Sequence, residues 1–122
     1  MANHIVLIAE DLMIAPRLEA SVRRAGYVPL FATDEASLVR AMVNAPVLVI
    51  ADLAATSFNW RKLVRLVKGP GKKNNHVPVL GFGPHVDLAL RDEALAAGCT
   101  AVVGRSAVSA NLPALIKKHL WH

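Results

Sequence analysis

Short apolar runs alternate along the chain with segments that place apolar residues at helical spacing. Five runs are rich in leucine or β-branched residues and are bounded by polar or turn-forming residues. They predict strands over Ile5–Ala9, Tyr27–Ala32, Val47–Ala51, Val77–Phe82 and Thr100–Gly104. Four of the five are almost continuously apolar, as is typical of parallel strands covered on both faces. The sequence therefore predicts a buried parallel sheet.

The segments between these runs carry the helical period. The clearest is the segment from Trp60 to Lys68, where apolar residues share one face and basic residues occupy the other. The remaining helices are predicted from Ile14 to Ala25, from a cap at Thr33 through Met42, from His85 or Val86 to Ala97, and from about Ser109 onwards with His119 facing inward.

Strands and helices alternate five times, with connections so short that each helix must cross back over the sheet in the right-handed sense. This order predicts an α/β fold with a doubly wound five-stranded parallel sheet of order 2-1-3-4-5, a flavodoxin-like three-layer sandwich. The whole chain, residues 1–122, is expected to form one domain. In such folds ligands bind beyond the carboxyl ends of the first and third strands.

The composition excludes several classes of protein. With 54 % hydrophobic residues the chain can bury a core, so intrinsic disorder is excluded. Its apolar runs are shorter than the roughly 18 residues that a membrane-spanning helix needs, and no secretory signal is recognisable. One cysteine excludes an internal disulfide. We therefore expect a cytoplasmic protein without a membrane partner.

Three carboxylates follow the first and third predicted strands: Glu10, Asp11 and Asp52. If the strand order is correct, they converge in one crevice, where their mutual repulsion needs a cation or a shared proton. Carboxylate oxygens are preferred ligands of Mg²⁺, and an aspartate can also act as a nucleophile toward a phosphoryl group. The alternative is that Asp11 and Asp52 only cap the helices that follow them.

Four segments resemble the receiver domain of bacterial two-component response regulators. They are the acidic pair Glu10–Asp11, the strand end Leu48–Asp52, the strand start Val77–Leu80 and the segment Ala97–Val103. The resemblance extends over essentially the whole chain and implies a signalling module of a phosphorelay. It further implies that Asp52 accepts phosphate and that a histidine kinase is a protein partner.

The resemblance also implies a Mg²⁺ site. Asp11 and Asp52 would hold the ion together with the backbone carbonyl of Ala54, and Glu10 would support it through a water molecule. Arg105 stands where the family has a lysine, and its guanidinium is a planar fork instead of a compact ammonium. Because Arg105 competes for the same carboxylates, we expect Mg²⁺ to bind weakly or not at all.

Three features depart from the family pattern. Gly83 stands in place of a serine or threonine at the end of the fourth strand, and Val102 replaces an aromatic residue of the fifth. The segment Leu53–Phe58 lacks the Met-Pro pair and the glycine that usually follow the phosphoacceptor. These residues transmit the signal in that family, so the chain is interpreted as an atypical or pseudo-receiver with degenerate switch residues.

The positive charge is concentrated in one part of the sequence. The chain carries a net charge of +5, and between Asp52 and Asp87 there is no acidic residue. Arg61, Arg65 and Lys68 are expected to project outward from the third helix. An alternative function is thus a phosphorylation-independent adaptor that binds a protein through this basic face. Six aromatic residues supply few stacking surfaces, so nucleic acid is a less favoured partner.

Two expectations concern activity and assembly. No general acid–base pair or oxyanion donor is visible, so we expect no enzyme. Val86, Leu88, Leu90 and Leu95 point in more directions than one buried stripe absorbs, which leaves apolar area exposed on the fourth helix. By resemblance, a homodimer would use the fourth helix, the fifth strand and the fifth helix.

Overall fold

The computed structural model describes residues 3–10, 13–68, 76–84 and 86–120. Strands and helices alternate along the chain. The strands are β1 (His4–Ile8), β2 (Val28–Phe31), β3 (Leu48–Asp52), β4 (Val79–Gly83) and β5 (Ala101–Gly104). The helices are α1 (Ala15–Arg24), α2 (Glu35–Met42), α3 (Trp60–Lys68), α4 (Leu88–Ala97) and α5 (Arg105–His119).

All five strands are parallel, in the order β2-β1-β3-β4-β5. The predicted fold class and strand order are confirmed. β1 and β3 are direct neighbours, with Ile8 opposite Ala51, so their carboxyl ends meet at the same end of the sheet. We call this end the carboxyl edge and the opposite end, where the strands begin, the amino edge.

The strands divide the interior into two hydrophobic cores. Ile5 and Leu7 pack in the core under α1 and α5, whereas Val6 and Ile8 pack in the core under α2, α3 and α4. All four side chains are fully buried. Because both faces of the sheet are covered, the strands read as continuous apolar runs instead of alternating ones.

The cap of α2 is one residue away from its predicted position. Asp34 is the cap instead of Thr33: its Oδ1 accepts a hydrogen bond of 2.7 Å from the backbone N–H of Ser37. In return the Ser37 hydroxyl oxygen accepts from the backbone N–H of Asp34, which completes a capping box. The hydrogen bond from the Ser37 backbone lowers the pKa of the Asp34 carboxyl. The serine at the third helical position thus decides between two residues that can both act as caps.

α5 begins four residues earlier than predicted. Arg105 follows Gly104 directly, so β5 and α5 join without an intervening loop. The backbone leaves helical geometry at Asn111, with φ −148° and ψ 37°, two residues before Pro113. Proline cannot donate a backbone hydrogen bond and clashes with the preceding turn, which explains the break.

The broken helix still covers the core. Val108, Leu112 and Ile116, spaced four residues apart, are all buried against α1 and the sheet. His119, predicted to face inward, is partly buried. Desolvation and the neighbouring Lys118 lower the pKa of its imidazole. No helix among the described residues is long and apolar enough to cross a membrane.

β2 is an edge strand with a proline in its middle. The backbone N–H of Val28, just before the proline, donates to the Asn3 carbonyl at 2.8 Å, and that of Ala32, just after the strand, donates to the Leu7 carbonyl at 3.0 Å. Since alternate residues of a parallel strand face opposite neighbours, Pro29 and Phe31 present their backbone groups away from the sheet. An edge strand is one of the few places in a sheet where proline is tolerated.

Candidate functional site

Asp52 is the last residue of β3 and lies at the carboxyl edge. Its side chain is 5 % exposed, and among the described residues it is the one charged side chain classed as buried. Its Oδ1 accepts a hydrogen bond of 2.9 Å from the backbone N–H of Ala54, so the chain turns directly after the strand. Burying a carboxylate is costly, and ligands bind at the switch point of such a sheet, so Asp52 is a candidate functional residue. Asp52 does not cap α3, which begins eight residues later.

Glu10 lies at the same edge, two residues after the end of β1, and it is exposed. Its Oε2 accepts a hydrogen bond of 2.6 Å from the Ser57 hydroxyl, 47 residues away in sequence. This bond joins the β1–α1 connection to the β3–α3 connection, the segments that follow the two central strands. Ser57 was not among the predicted site residues. The sequence signal that could have found it is a hydroxyl residue in the loop after a candidate phosphoacceptor.

The other predicted metal ligands are only partly covered by the structure. Asp11 lies outside the described residues. Arg105 is the first residue of α5, at the carboxyl edge, and is partly buried. Within the described ranges, no three His, Cys, Asp or Glu side chains are grouped as a metal site. Asp52 and Glu10 supply oxygen donors of the hard type that Mg²⁺ prefers, so the residues present fit this ion in kind.

Gly83 ends β4, the strand beside β3, and itself contributes no hydroxyl to the site. A Cβ atom at this position would lie 3.7 Å from Val86 Cγ2, 3.9 Å from Leu90 Cδ2 and 4.0 Å from Leu53 Cβ. These are ordinary van der Waals distances. Packing therefore does not require a glycine at this position, and a small side chain has room.

A groove of about 600 Å³ opens beside Glu10. It runs along α1 and the end of β2, and its apolar lining includes Pro16 and Phe31. Glu19 and Arg23 also line it and form an ion pair of 3.6 Å on α1. The acidic edge of the site is thus continuous with an apolar surface.

The basic face of α3 differs from its prediction. Arg61 forms an ion pair with Glu93 of α4, and its guanidinium carbon lies 4.6 Å from the centre of the Trp60 ring. Lys62 Nζ lies 3.3 Å from a carboxylate oxygen of Glu35 on α2. The acids absent from this stretch of sequence are therefore supplied by the two neighbouring helices.

Lys68 is also engaged within the fold. Its Nζ donates a hydrogen bond of 2.7 Å to the backbone carbonyl of Val77, and desolvation lowers the pKa of its ammonium. Arg61 and Lys68 are partly exposed, as expected for the outer face of α3, but both side chains also bind neighbouring elements. Arg65 is exposed, as predicted.

Comparison with known proteins concerns the fold. No family model matches the chain, and no curated protein matches it. Among solved structures, the chemotaxis protein CheY4 of Vibrio cholerae superposes with a TM-score of 0.84 at 16 % identity, over 98 % of this chain and 100 % of that one. A response regulator from Thermotoga maritima gives a TM-score of 0.77 at 15 % identity, over 97 % of both chains. A response regulator protein from Burkholderia multivorans gives 0.73 at 22 % identity, over 97 % of this chain and 94 % of that one.

The chain has the receiver fold of response regulators. The resemblance seen in the sequence is confirmed at the level of the fold. In this receiver fold Asp52 ends the central strand β3, and Glu10 follows its neighbour β1. Two of the predicted site residues, Asp52 and Glu10, therefore belong to the strand ends that this fold brings together.

Proposed function

We propose that the chain is a receiver-like signalling module of a two-component phosphorelay in which Asp52 accepts a phosphoryl group. The observation that carries the proposal is the burial of Asp52 at the carboxyl end of β3, with Glu10 following the adjacent strand. A histidine kinase is the proposed donor and protein partner, which implies a cytoplasmic location. The chain acts in this proposal as an acceptor and not as an enzyme with turnover of its own.

In the proposed step, a carboxylate oxygen of Asp52 attacks the phosphorus atom of a phosphohistidine. A bond between phosphorus and the Asp52 oxygen forms as the bond from phosphorus to the imidazole nitrogen breaks, and the product is an acyl phosphate. The freed imidazole nitrogen keeps the electron pair. The Ala54 N–H holds Oδ1, so the carboxylate has a fixed orientation before the attack.

Mg²⁺, when bound, neutralises the negative charge of the phosphoryl oxygens. Asp11, Asp52 and the Ala54 carbonyl are the proposed ligands, and Glu10 is proposed to support the ion through water. Arg105 begins α5 at the same edge, where it adds a permanent positive charge. Because that charge competes with a cation for the carboxylates, we propose that Mg²⁺ affinity is weak.

The switch that follows phosphorylation is proposed to be degenerate. Gly83 has no hydroxyl to follow a phosphoryl oxygen, and the partly buried Val102 of β5 has no aromatic ring to reorient. A modification shifts a conformational equilibrium only if the two states make different contacts with it. We therefore expect phosphorylation to change the surface of the protein little.

The test is labelling of the full chain with phosphoramidate and Mg²⁺, followed by intact-mass spectrometry. We expect slow addition of one phosphoryl group to the wild type and none to Asp52→Asn. Asp92→Asn removes an exposed carboxylate from α4 and is the matched control, which should be labelled like the wild type. A wild type that stays unlabelled, or an Asp52→Asn variant that is labelled as fast, would overturn the proposal.

The adaptor alternative gains no support from the geometry of α3. Three of the four cations on its predicted basic face, Arg61, Lys62 and Lys68, are bonded to other parts of the fold. Reversing the charge of Arg61, Arg65 and Lys68 together should therefore lower stability, contrary to the expectation for free surface residues.

A further inference from the structure

The ends of the helices gather positive charge at one end of the molecule. Each helix of this fold runs antiparallel to the strands, so every helix ends at the amino edge. Four of the five last turns contain Lys or Arg, and the seven residues are Arg23, Arg24, Arg40, Arg65, Lys68, Lys117 and Lys118. Half of the fourteen basic residues of the chain therefore lie around the amino edge.

Acidic residues collect at the opposite end. Asp52 and Glu10 lie at the carboxyl edge, as do Asp34 and Asp87, which cap α2 and α4. The connections described at the amino edge, residues 25–27, 43–47, 76–78 and 98–100, contain no Asp or Glu. The amino edge is thus basic, whereas the carboxyl edge carries acidic residues together with basic ones in the first turns of the helices: Arg17, Arg61, Lys62, Arg91 and Arg105.

Helix dipoles account for only part of this arrangement. Each helix carboxyl end carries roughly −0.5 of an elementary charge, so four ends balance about two of the seven cations. Arg23 pairs with Glu19, and Lys68 donates to a carbonyl. The other five side chains are exposed. Like charges held together at one end repel one another unless a partner of opposite charge binds them.

Apolar side chains lie at the same end. Val43, which ends α2 directly after the turn that contains Arg40, is 81 % exposed, and Ala45 is exposed beside it. Tyr27 and Leu120 are partly buried where the chain enters β2 and leaves α5. A phosphate backbone would engage the cations and leave Val43 in water. A protein segment that carries both carboxylates and apolar side chains would engage both kinds of surface.

We propose that the amino edge is a docking surface for an acidic amphipathic segment of a partner protein. Carboxylates of the segment pair with the exposed cations at the ends of α1, α2 and α5, and its apolar side chains cover Val43. The surface lies at the end of the molecule opposite Asp52. A segment bound there therefore leaves the proposed phosphorylation site open.

The probe is a fluorescent synthetic peptide of glutamate and leucine, with its binding to the full chain followed by anisotropy at several salt concentrations. We expect binding that weakens as salt rises. Arg40→Glu combined with Lys118→Glu should lower the affinity at least about tenfold. Arg17→Glu combined with Arg91→Glu changes two exposed cations away from the amino edge by the same charge, and should retain the affinity within about twofold. Val43→Ser should weaken the binding of this peptide but not the binding of polyglutamate.

Each result that differs from these expectations has a defined meaning. Equal losses in the two double variants would attribute binding to net charge and overturn the proposal, as would a wild type that does not bind the peptide. Binding of duplex DNA or of anionic phospholipid vesicles without binding of the peptide would assign the surface to another kind of polyanion. If the glutamate variants do not fold by circular dichroism, Arg40→Gln with Lys118→Gln provides the same comparison. Phosphorylation of Asp52 is measured separately, so neither result decides the other.

Discussion

The glycines of β4 offer a direct test of how tightly the strand beside Asp52 is packed. Gly83, at its end, and Gly81, two residues earlier, can each be replaced by alanine. At Gly83 the added methyl group would meet its nearest atoms at 3.7 to 4.0 Å. At Gly81 it would lie 3.0 Å from Leu53 Cδ1 and 3.2 Å from Cys99 Sγ, closer than real Cβ atoms usually approach.

The two replacements should have different effects on the free energy of unfolding. Replacing glycine by alanine restricts the unfolded chain and stabilises a compatible position by about 0.4 to 1 kcal/mol. Gly83→Ala should therefore be unchanged or more stable by up to about 1 kcal/mol. Overpacking a filled core costs about 1 to 3 kcal/mol, and Leu53 and Cys99 are each 5 % exposed, so they have little room to move. Gly81→Ala should therefore lose about 1 to 2 kcal/mol.

Urea denaturation followed by circular dichroism measures the free energy of unfolding of each variant. If the dependence of this free energy on urea concentration is the same as in the wild type, the two-state transition is unchanged. Shortening Leu53 to alanine should relieve the clash, so Gly81→Ala with Leu53→Ala should lose less than the sum of the single changes. Equal effects of the two glycine replacements, or a loss of more than about 1 kcal/mol at Gly83, would refute the packing argument. If Gly83→Ala is tolerated, Gly83→Ser can restore a hydroxyl beside Asp52.

Three further predictions concern the site, the core and the surface. Ser57→Ala should weaken Mg²⁺ binding severalfold by releasing Glu10, whereas Ser57→Thr should preserve it; identical titration curves would exclude Ser57 from the site. Burial raises the pKa of the Cys99 thiol from 9.0 to about 11. The folded state therefore holds this proton more tightly, and stability that is complete below pH 9 should fall by up to about 3 kcal/mol as pH approaches 11. Cys99→Ala should remove this loss of stability. If the stability of the wild type and of Cys99→Ala falls in parallel as pH rises, the loss does not arise from Cys99. Leu88 and Leu95 of α4 are 75 % and 39 % exposed, so we expect self-association at high concentration that Leu88→Ser with Leu95→Ser reduces; sedimentation of the wild type as a strict monomer would count against it.

The fold could be predicted because its signals are local. Continuous apolar runs mark strands buried on two faces, and Trp60, Leu63, Val64 and Val67 mark the buried face of α3. The position of Asp52 followed from the same reasoning, since it ends such a run. The start of α5 did not follow, because Gly104 serves both as the last residue of β5 and as the residue that precedes the helix.

Contacts between distant segments could not be predicted in the same way. Ser57 and Glu10 lie 47 residues apart, and Arg61 and Glu93 lie 32 apart. Periodicity places a side chain on a face of its own helix, but it does not say which side chain of another helix approaches that face. The basic stripe of α3 therefore looked unpaired in the sequence although its acids lie on α2 and α4. Whether Asp52 accepts phosphate and whether Mg²⁺ binds stay predictions.

Pro29 limits how copies of this protein can aggregate. Fibrils and strand-swapped oligomers grow by hydrogen bonding a new strand to an exposed sheet margin, and each addition needs a row of outward N–H groups. Within β2 only Phe31 presents such a group, because the other outward residue is Pro29. That margin is therefore a poor template for cross-β growth. Pro29→Val would complete the row and should shorten the lag before thioflavin-positive aggregates appear.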